Sequence, residues 1–220
     1  MNITVALDGP AGVGKSTVAK RVARALGYRL VDTGAIYRVV ALEAVRQKIA
    51  PDDDNGLAAI TQRLEISFKF VADTNHVLLG TEDVTAAIRT EEISRLASLI
   101  SARPVVRAGL IALQRRLAGQ GGAVLEGRDI GTVICPNAEV KFFLDASVEE
   151  RASRRHRELQ AKGQEIPFAD VLAQVKQRDH NDRTRAIAPL IPAPDAIQLD
   201  CTKLAADDVV KIVVEAVRAC

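Results

Sequence analysis

The chain has 220 residues, a formal net charge of +2, and 48% hydrophobic against 26% charged residues. That composition is globular, long enough for one sizeable core, and lacks the charge excess that drives nucleic-acid binding. It has no apolar run of about 18 residues to span a membrane and no signal-peptide pattern, and its scattered cysteines (Cys135, Cys201, Cys220) and histidines (His76, His156, His180) form neither a disulfide framework nor a zinc motif. The expectation is a reduced, cytoplasmic protein without membrane or nucleic-acid partners, metal-free apart from an ion carried by a nucleotide.

Residues 3–8 (ITVALD) form a β-branched run that ends at the glycine-rich stretch DGPAGVGKST. Val18, Ala19, Val22, Ala23 and Leu26 then recur at helical spacing, and Gly27 closes that helix. YRLVD reads as a second strand and GAIYRVVALEAVRQK as a second helix. After the polar break APDDDNG, the runs LEISFKF and HVLLGTEDVT, joined through ADTN, predict a β-hairpin or small meander. An inserted subdomain is placed at about residues 61–100 on that change of pattern. Two helical stretches end near Gly119, and GAVLEG and EVKFFLD follow as buried-type strands. SVEERASRRHRELQAKG is a basic helix with little apolar face, FADVLAQVKQRDHNDR another helix, and AIQLD a fifth strand. In the last helix Asp207 and Asp208 complement the N-terminal dipole. Strands alternating with helices predict an α/β fold, a five-stranded parallel sheet flanked by helices, as a single domain over residues 1–220.

Gly9, Gly14, Lys15 and Ser16 satisfy GxxxxGK[ST], with the required strand before and helix after. In such a loop the backbone of Gly9, Pro10, Ala11, Gly12, Val13, Gly14, Lys15, Ser16 and Thr17 wraps a nucleoside triphosphate. Lys15 is expected at the β- and γ-phosphates and the Ser16 hydroxyl at Mg²⁺. The bland alternative is an ordinary glycine-rich turn, which does not require the lysine and hydroxyl that follow.

P-loops serve switches, motors and kinases. The guanine-reading NKxD and the transporter LSGGQ are absent, and the lone DxxG at residues 53–56 lies in a polar break. A small-molecule kinase needs a second anion site built from arginines. Arg38, Arg89, Arg107, Arg128, Arg178 and Arg185 each sit beside a strand end, a helix start or a small polar motif. DTGAIYR and EGRDIGT both follow strands, so their side chains share the crevice of the P-loop. Arg38, placed in a helix's first turn against the dipole, suggests a nearby anion. Arg128 stands between Gly127 and Asp129, where neither propensity nor packing asks for charge. Asp129 and Asp182 are ligand contacts or arginine partners; Asp145 is a Walker-B-like aspartate or a helix cap; Tyr37 reads as packing. The run Arg151, Arg154, Arg155, Arg157 is a solvated helix face or, beside a phosphate crevice, a mobile lid at about residues 148–166. Arg154 and Arg155 are its candidates for catalysis.

Taken together, DGPAGVGKST, DTGAIYR, EDVTAAIRTEEIS, EGRDIGTV, VKFFLDAS, ERASRR and RDHNDRTRAIAPL resemble the bacterial cytidylate kinases over residues 8–190. The resemblance implies a nucleoside monophosphate kinase core of pyrimidine metabolism with an acceptor-binding insertion, ATP and CMP or dCMP as substrates, and Mg²⁺. It carries Arg38, Arg128 and Arg185 over as acceptor-phosphate or sugar-side ligands. Thr33, Arg107 and Asp129 become neighbours of the cytosine, and Ser98, Arg178 and Asp182 of the pentose. Members often have serine where Thr33 stands, and some have aspartate in place of Glu126. A monomer is expected. The rivals are a kinase for AMP, UMP or shikimate, and a nucleotide-dependent regulatory switch.

Overall fold

The computed structural model describes residues 2–71, 74–119, 121–161 and 163–220. The carboxyl edge of a parallel sheet is its organising feature. Strands β1 (Thr4–Asp8), β2 (Arg29–Asp32), β6 (Ala123–Gly127), β7 (Val140–Asp145) and β8 (Ile197–Asp200) pair in the order β2-β6-β1-β7-β8, all parallel. β1, β6 and β7 are buried almost throughout, because helices cover both faces and apolar residues need not alternate with polar ones. β1 is central, which puts Asp8 and the glycine loop in the middle of the edge where ligands bind in such sheets.

Helix α1 (Lys15–Leu26) starts at Gly14, whose φ of 100° is left-handed, and stops at Gly27 with φ 67°. Its buried face of Val18, Ala19, Val22 and Ala23 packs with Val209, Val213 and Val217 of the last helix, α8 (Ala206–Arg218). Helix α2 (Thr33–Arg46) begins at Thr33, N-capped by the Asp32 carboxylate accepting from Ala35 N–H. Arg38 therefore lies in the second turn, and the argument from dipole repulsion in a first turn does not apply to it.

The polar break conceals a helix that periodicity did not predict, α3 (Asp54–Arg63). Asp53 N-caps it by accepting from Gly56 N–H, which accounts for the DxxG sequence. A second sheet follows, antiparallel, of β3 (Ile66–Val71), β4 (Thr74–Leu79) and β5 (Glu82–Asp83). Two residues of the ADTN turn, 72 and 73, lie outside the described residues. A 3₁₀ turn (Ala87–Arg89) leads to α4 (Glu91–Ile100) and α5 (Pro104–Ala118). Ile36, Val40, Leu57, Val77, Ile88, Ile100 and Leu110 pack into one core, so this sheet shares its apolar interior with α2, α3 and α5.

After β6 the chain makes a π-helical turn (Ile130–Ile134) that was also not predicted. Helices α6 (Val148–Gln160) and α7 (Phe168–Thr184) pack against each other beside the loop. The α6 arginines are not one solvated face. Arg151 is 4% exposed, because its polar head is consumed by internal acceptors rather than water. Among the described residues no single helix is long and apolar enough to cross a membrane.

Candidate active site

The glycine loop can take its path only with glycine at Gly9, where a Cβ would lie 2.1 Å from the Leu144 carbonyl oxygen. Lys15 at the start of α1 is buried, and its Nζ donates to the carbonyls of Gly9 and Pro10, both at 2.7 Å. Burial and the Arg128 cation hold this ammonium well below the usual lysine range, against the pull of Glu126. Arg178 also acts on Lys15. The lysine and two of the predicted arginines thus converge on one electrostatic neighbourhood.

Ser16 donates its hydroxyl to Glu126 Oε2 at 2.8 Å. Burial and the Asp32 carboxylate push Glu126 up to about 7, opposed by Lys15 and by the Ser16 hydrogen bond. A serine oxygen and a carboxylate at the foot of a phosphate-binding loop suit a hard divalent cation. No cluster of three or more His, Cys, Asp or Glu among the described residues could hold a metal. A cation there would complete its coordination with phosphate and water. Asp145 is not this carboxylate: it accepts from Ala146 N–H and lies 3.5 Å from Arg183, as a strand-end turn residue.

Asp8, the last residue of β1, has a role that the loop motif does not announce. Its carboxylate accepts from Ile130 N–H at 2.8 Å and Gly131 N–H at 2.7 Å, capping the turn after β6. Burial raises its pKa to about 6 despite those two bonds. A charge at the end of an otherwise apolar buried strand was the available signal. This cap fixes the segment that carries Arg128 and Asp129.

Beside that turn, Arg128 Nε donates to Asp182 Oδ2 at 2.8 Å, and Arg185 Nη1 lies 3.9 Å from Asp182 Oδ1. Burial acts to raise Asp182, but Arg128, Arg178 and Arg185 together outweigh it and the net shift is downward. Arg178 is pushed down to about 10 by burial and by Arg128, and its Nε is buried without a partner. Arg38 and Arg155 also act on Arg178, and Arg38 has no hydrogen-bond or ion-pair partner among the described residues. The cluster holds more cationic donors than its carboxylates accept, as an anion site requires.

The other half of the site is a buried pair. Arg107 Nη2 contacts Asp129 Oδ2, Nη1 donates to the Ser101 carbonyl at 3.1 Å, and the guanidinium sits 5.5 Å over the Tyr37 ring. Arg185 Nη2 approaches the other Asp129 oxygen at 3.5 Å. Tyr37, Arg107, Asp129, Val133 and Ile187 line a cavity of about 110 Å³, so Tyr37 is wall as well as packing. Thr33 donates its hydroxyl to the Glu126 carbonyl at 2.7 Å, which seats it between the two halves.

Four predicted residues make no hydrogen bond or ion pair with the arginine cluster. The Ser98 side chain, on α4, makes no hydrogen bond to this cluster, and Arg89 is exposed on its 3₁₀ turn. Arg154 is pinned, donating to Glu150, the Val13 carbonyl (3.1 Å) and the Cys201 carbonyl (2.9 Å). Arg155 pairs with Glu158 at 3.3 Å on the surface.

The cytidylate kinase family model matches residues 5–219. The chain is 49% identical to the cytidylate kinase of Citrifermentans bemidjiense over 98% of this chain and 93% of the relative. It is 53% identical to that of Geobacter sulfurreducens over 94% and 89% respectively. A crystal structure of an uncharacterized protein from Eubacterium ventriosum shares the fold, with a TM-score of 0.53 at 11% identity and full coverage of both chains. By its match across nearly the whole length, the chain belongs to the cytidylate kinase family.

Proposed function

We propose that the chain transfers the γ-phosphoryl group of ATP to CMP, and also to dCMP, giving ADP and the corresponding diphosphate. The observation that carries this reading is the convergence of Lys15 with Arg128 and Arg178, in a chain of this family. The bond between the β,γ-bridging oxygen and the γ-phosphorus breaks as an acceptor phosphate oxygen bonds that phosphorus. The acceptor phosphate is already ionised, so no general base is needed. The transition state spreads charge over the transferring oxygens, and catalysis is positioning and electrostatics.

In this reading the loop from Gly9 to Thr17 wraps the donor phosphates. Lys15 exchanges the carbonyls of Gly9 and Pro10 for phosphate oxygens, which explains an ammonium that is buried yet held only by its own loop. Arg38, Arg128 and Arg185 hold the acceptor phosphate, with Arg178, Asp182 and Ser98 towards the pentose. Arg107, Asp129 and Thr33 face the base. Asp129 accepts from the cytosine amine and Arg107 donates to its ring acceptors, while the uracil carbonyl would face a carboxylate. Ser16, with Glu126 behind it, fits Mg²⁺, which would neutralise charge on the phosphates. Residues 61–100 serve as the acceptor-binding insertion, and residues 148–166 as a lid that excludes water and brings Arg154 and Arg155 towards the transferring group. The protein acts as a cytoplasmic monomer on small molecules.

An ADP-release assay with ATP, Mg²⁺ and each nucleoside monophosphate tests the reading. CMP and dCMP should give turnover far above UMP, AMP and GMP. A preference for AMP or UMP, activity on shikimate, or slow hydrolysis indifferent to every acceptor would contradict it.

A further inference from the structure

One buried side chain joins the donor loop to α7, the helix that carries Arg178 and Asp182. Arg151, in the first turn of α6, donates from Nε to the Ala146 carbonyl at 2.9 Å and from Nη1 to the Ala11 carbonyl in the glycine loop at 3.1 Å. Its Nη2 meets Asp179 Oδ2 of α7 at 2.6 Å, with the two side chains 5% and 13% exposed. Gly12 packs directly on this residue: a Cβ there would come within 3.0 Å of the Arg151 carbonyl oxygen. Asp179 is the next residue after Arg178, and α7 also supplies Asp182, the partner of Arg128. Asp179 Oδ1 and Arg178 Nε are both buried without a hydrogen-bond partner, so the Oδ2 contact is the polar tie of Asp179 here.

A buried ion pair is a poor device for stability alone, since its desolvation cost offsets most of its attraction. What a guanidinium adds is a rigid planar fork that fixes several acceptors relative to one another. Here those acceptors belong to the loop expected to hold the donor phosphates, to the turn after β7, and to the helix expected to hold the acceptor. We infer that Arg151 and Asp179 are a positioning pair that sets the register between the two phosphates across which the group is transferred. Neither touches substrate. The inference rests on the kinase reading above and deepens it by assigning the alignment of its two half-sites to a specific contact.

Misalignment penalises in-line transfer far more than binding, and an error of about 1 Å costs on the order of 100-fold. Asp179→Asn keeps the shape but removes the charge, and Arg151→Lys keeps the charge but removes the fork. For each, CMP-dependent ADP formation and CMP-independent ATP hydrolysis are measured per folded molecule, together with the affinity for ADP. The expected result is a kcat for CMP lower by roughly 10- to 100-fold, with hydrolysis and ADP affinity near wild type. The double variant should lose little more than the worse single one, because both break the same contact. If Asp179→Asn does not fold, Asp179→Glu, with the charge displaced by one methylene, is read in the same way. Unchanged transfer would overturn the inference, as would transfer and hydrolysis falling in equal proportion. A wild type with no CMP-dependent ADP formation would remove the kinase reading itself, and this inference with it.

Discussion

Replacing Asp129 probes stability and base choice through the same carboxylate. It faces Arg107 on one oxygen and Arg185 at 3.5 Å on the other, with exposures of 5–7% for these three side chains. Asp129→Ala leaves Arg107 with the Ser101 carbonyl and the Tyr37 ring but no carboxylate, and Arg185 with the Ala188 carbonyl and Asp182 at 3.9 Å. Breaking a buried pair in this way costs about 3–5 kcal/mol. For a domain of this size each kcal/mol moves Tm by about 2–4 °C, so a fall of roughly 10 °C is expected. Asp129→Asn separates charge from shape: its amide oxygen still accepts from Arg107, while the carboxylate that would accept from the cytosine amine is gone. A hydrogen bond to a charged group contributes about 1.5–3 kcal/mol, or roughly 10- to 100-fold in a rate ratio. The ratio of kcat/KM for CMP over UMP should fall by that factor in the Asn variant. ADP release with each acceptor, beside a thermal melt with and without ATP, separates the two effects. A folded Asp129→Asn protein with an unchanged CMP/UMP ratio would refute the base-reading role and leave Asp129 as a structural counter-ion.

Four further outcomes are expected. Lys15→Met should abolish transfer without lowering Tm, because the loop is built from backbone and the lysine's acceptors there are its own carbonyls; near-wild-type turnover would contradict this. Arg128→Lys keeps the charge but loses the planar fork that donates to Asp182, so KM for CMP should rise by about tenfold with ATP binding little changed; a collapse confined to ATP would move Arg128 to the donor side. Gly9→Ala would bring a Cβ to 2.1 Å from the Leu144 carbonyl oxygen, so nucleotide affinity should fall with stability, as equilibrium binding and a melt would reveal. Asp8 has a folded pKa of about 6 against an ordinary 3.8, so between those pH values the folded state binds more protons than the unfolded one. Its contribution to stability is therefore present at low pH and declines by about 3 kcal/mol as pH rises through that window, a slope that denaturant melts should find missing from Asp8→Asn.

The parallel sheet was legible because its strands are short β-branched runs ending at glycine or aspartate. The loop was legible because its chemistry demands particular residues at fixed spacing. What escaped were features made by tertiary contact. Helix α3 hides behind APDDDNG, where the acidic run reads as a break until Asp53 caps Gly56. The π-helical turn depends on Asp8, 122 residues away from Ile130 in sequence, and no local pattern announces it. Arg151 carries the same residue type as the surface arginines around it. Only the carbonyls of Ala11 and Ala146 and the carboxylate of Asp179 distinguish it, and they come from three separate segments. For Ser98 the family pattern placed a residue at the pentose, yet its side chain makes no hydrogen bond to the arginine cluster.

The central claim is that phosphate passes from ATP to CMP between Lys15 and two arginines, Arg128 just after β6 and Arg178 of α7. Phosphorus NMR of a reaction containing ATP, Mg²⁺ and CMP tests it most directly, since it resolves each phosphate by its neighbours. The account predicts ADP and CDP appearing together in equal amounts with no inorganic phosphate, and no CDP when Arg128 and Arg178 are both replaced by alanine in a protein that still binds ATP. Inorganic phosphate accumulating in place of CDP, or CDP forming undiminished without those arginines, would contradict it.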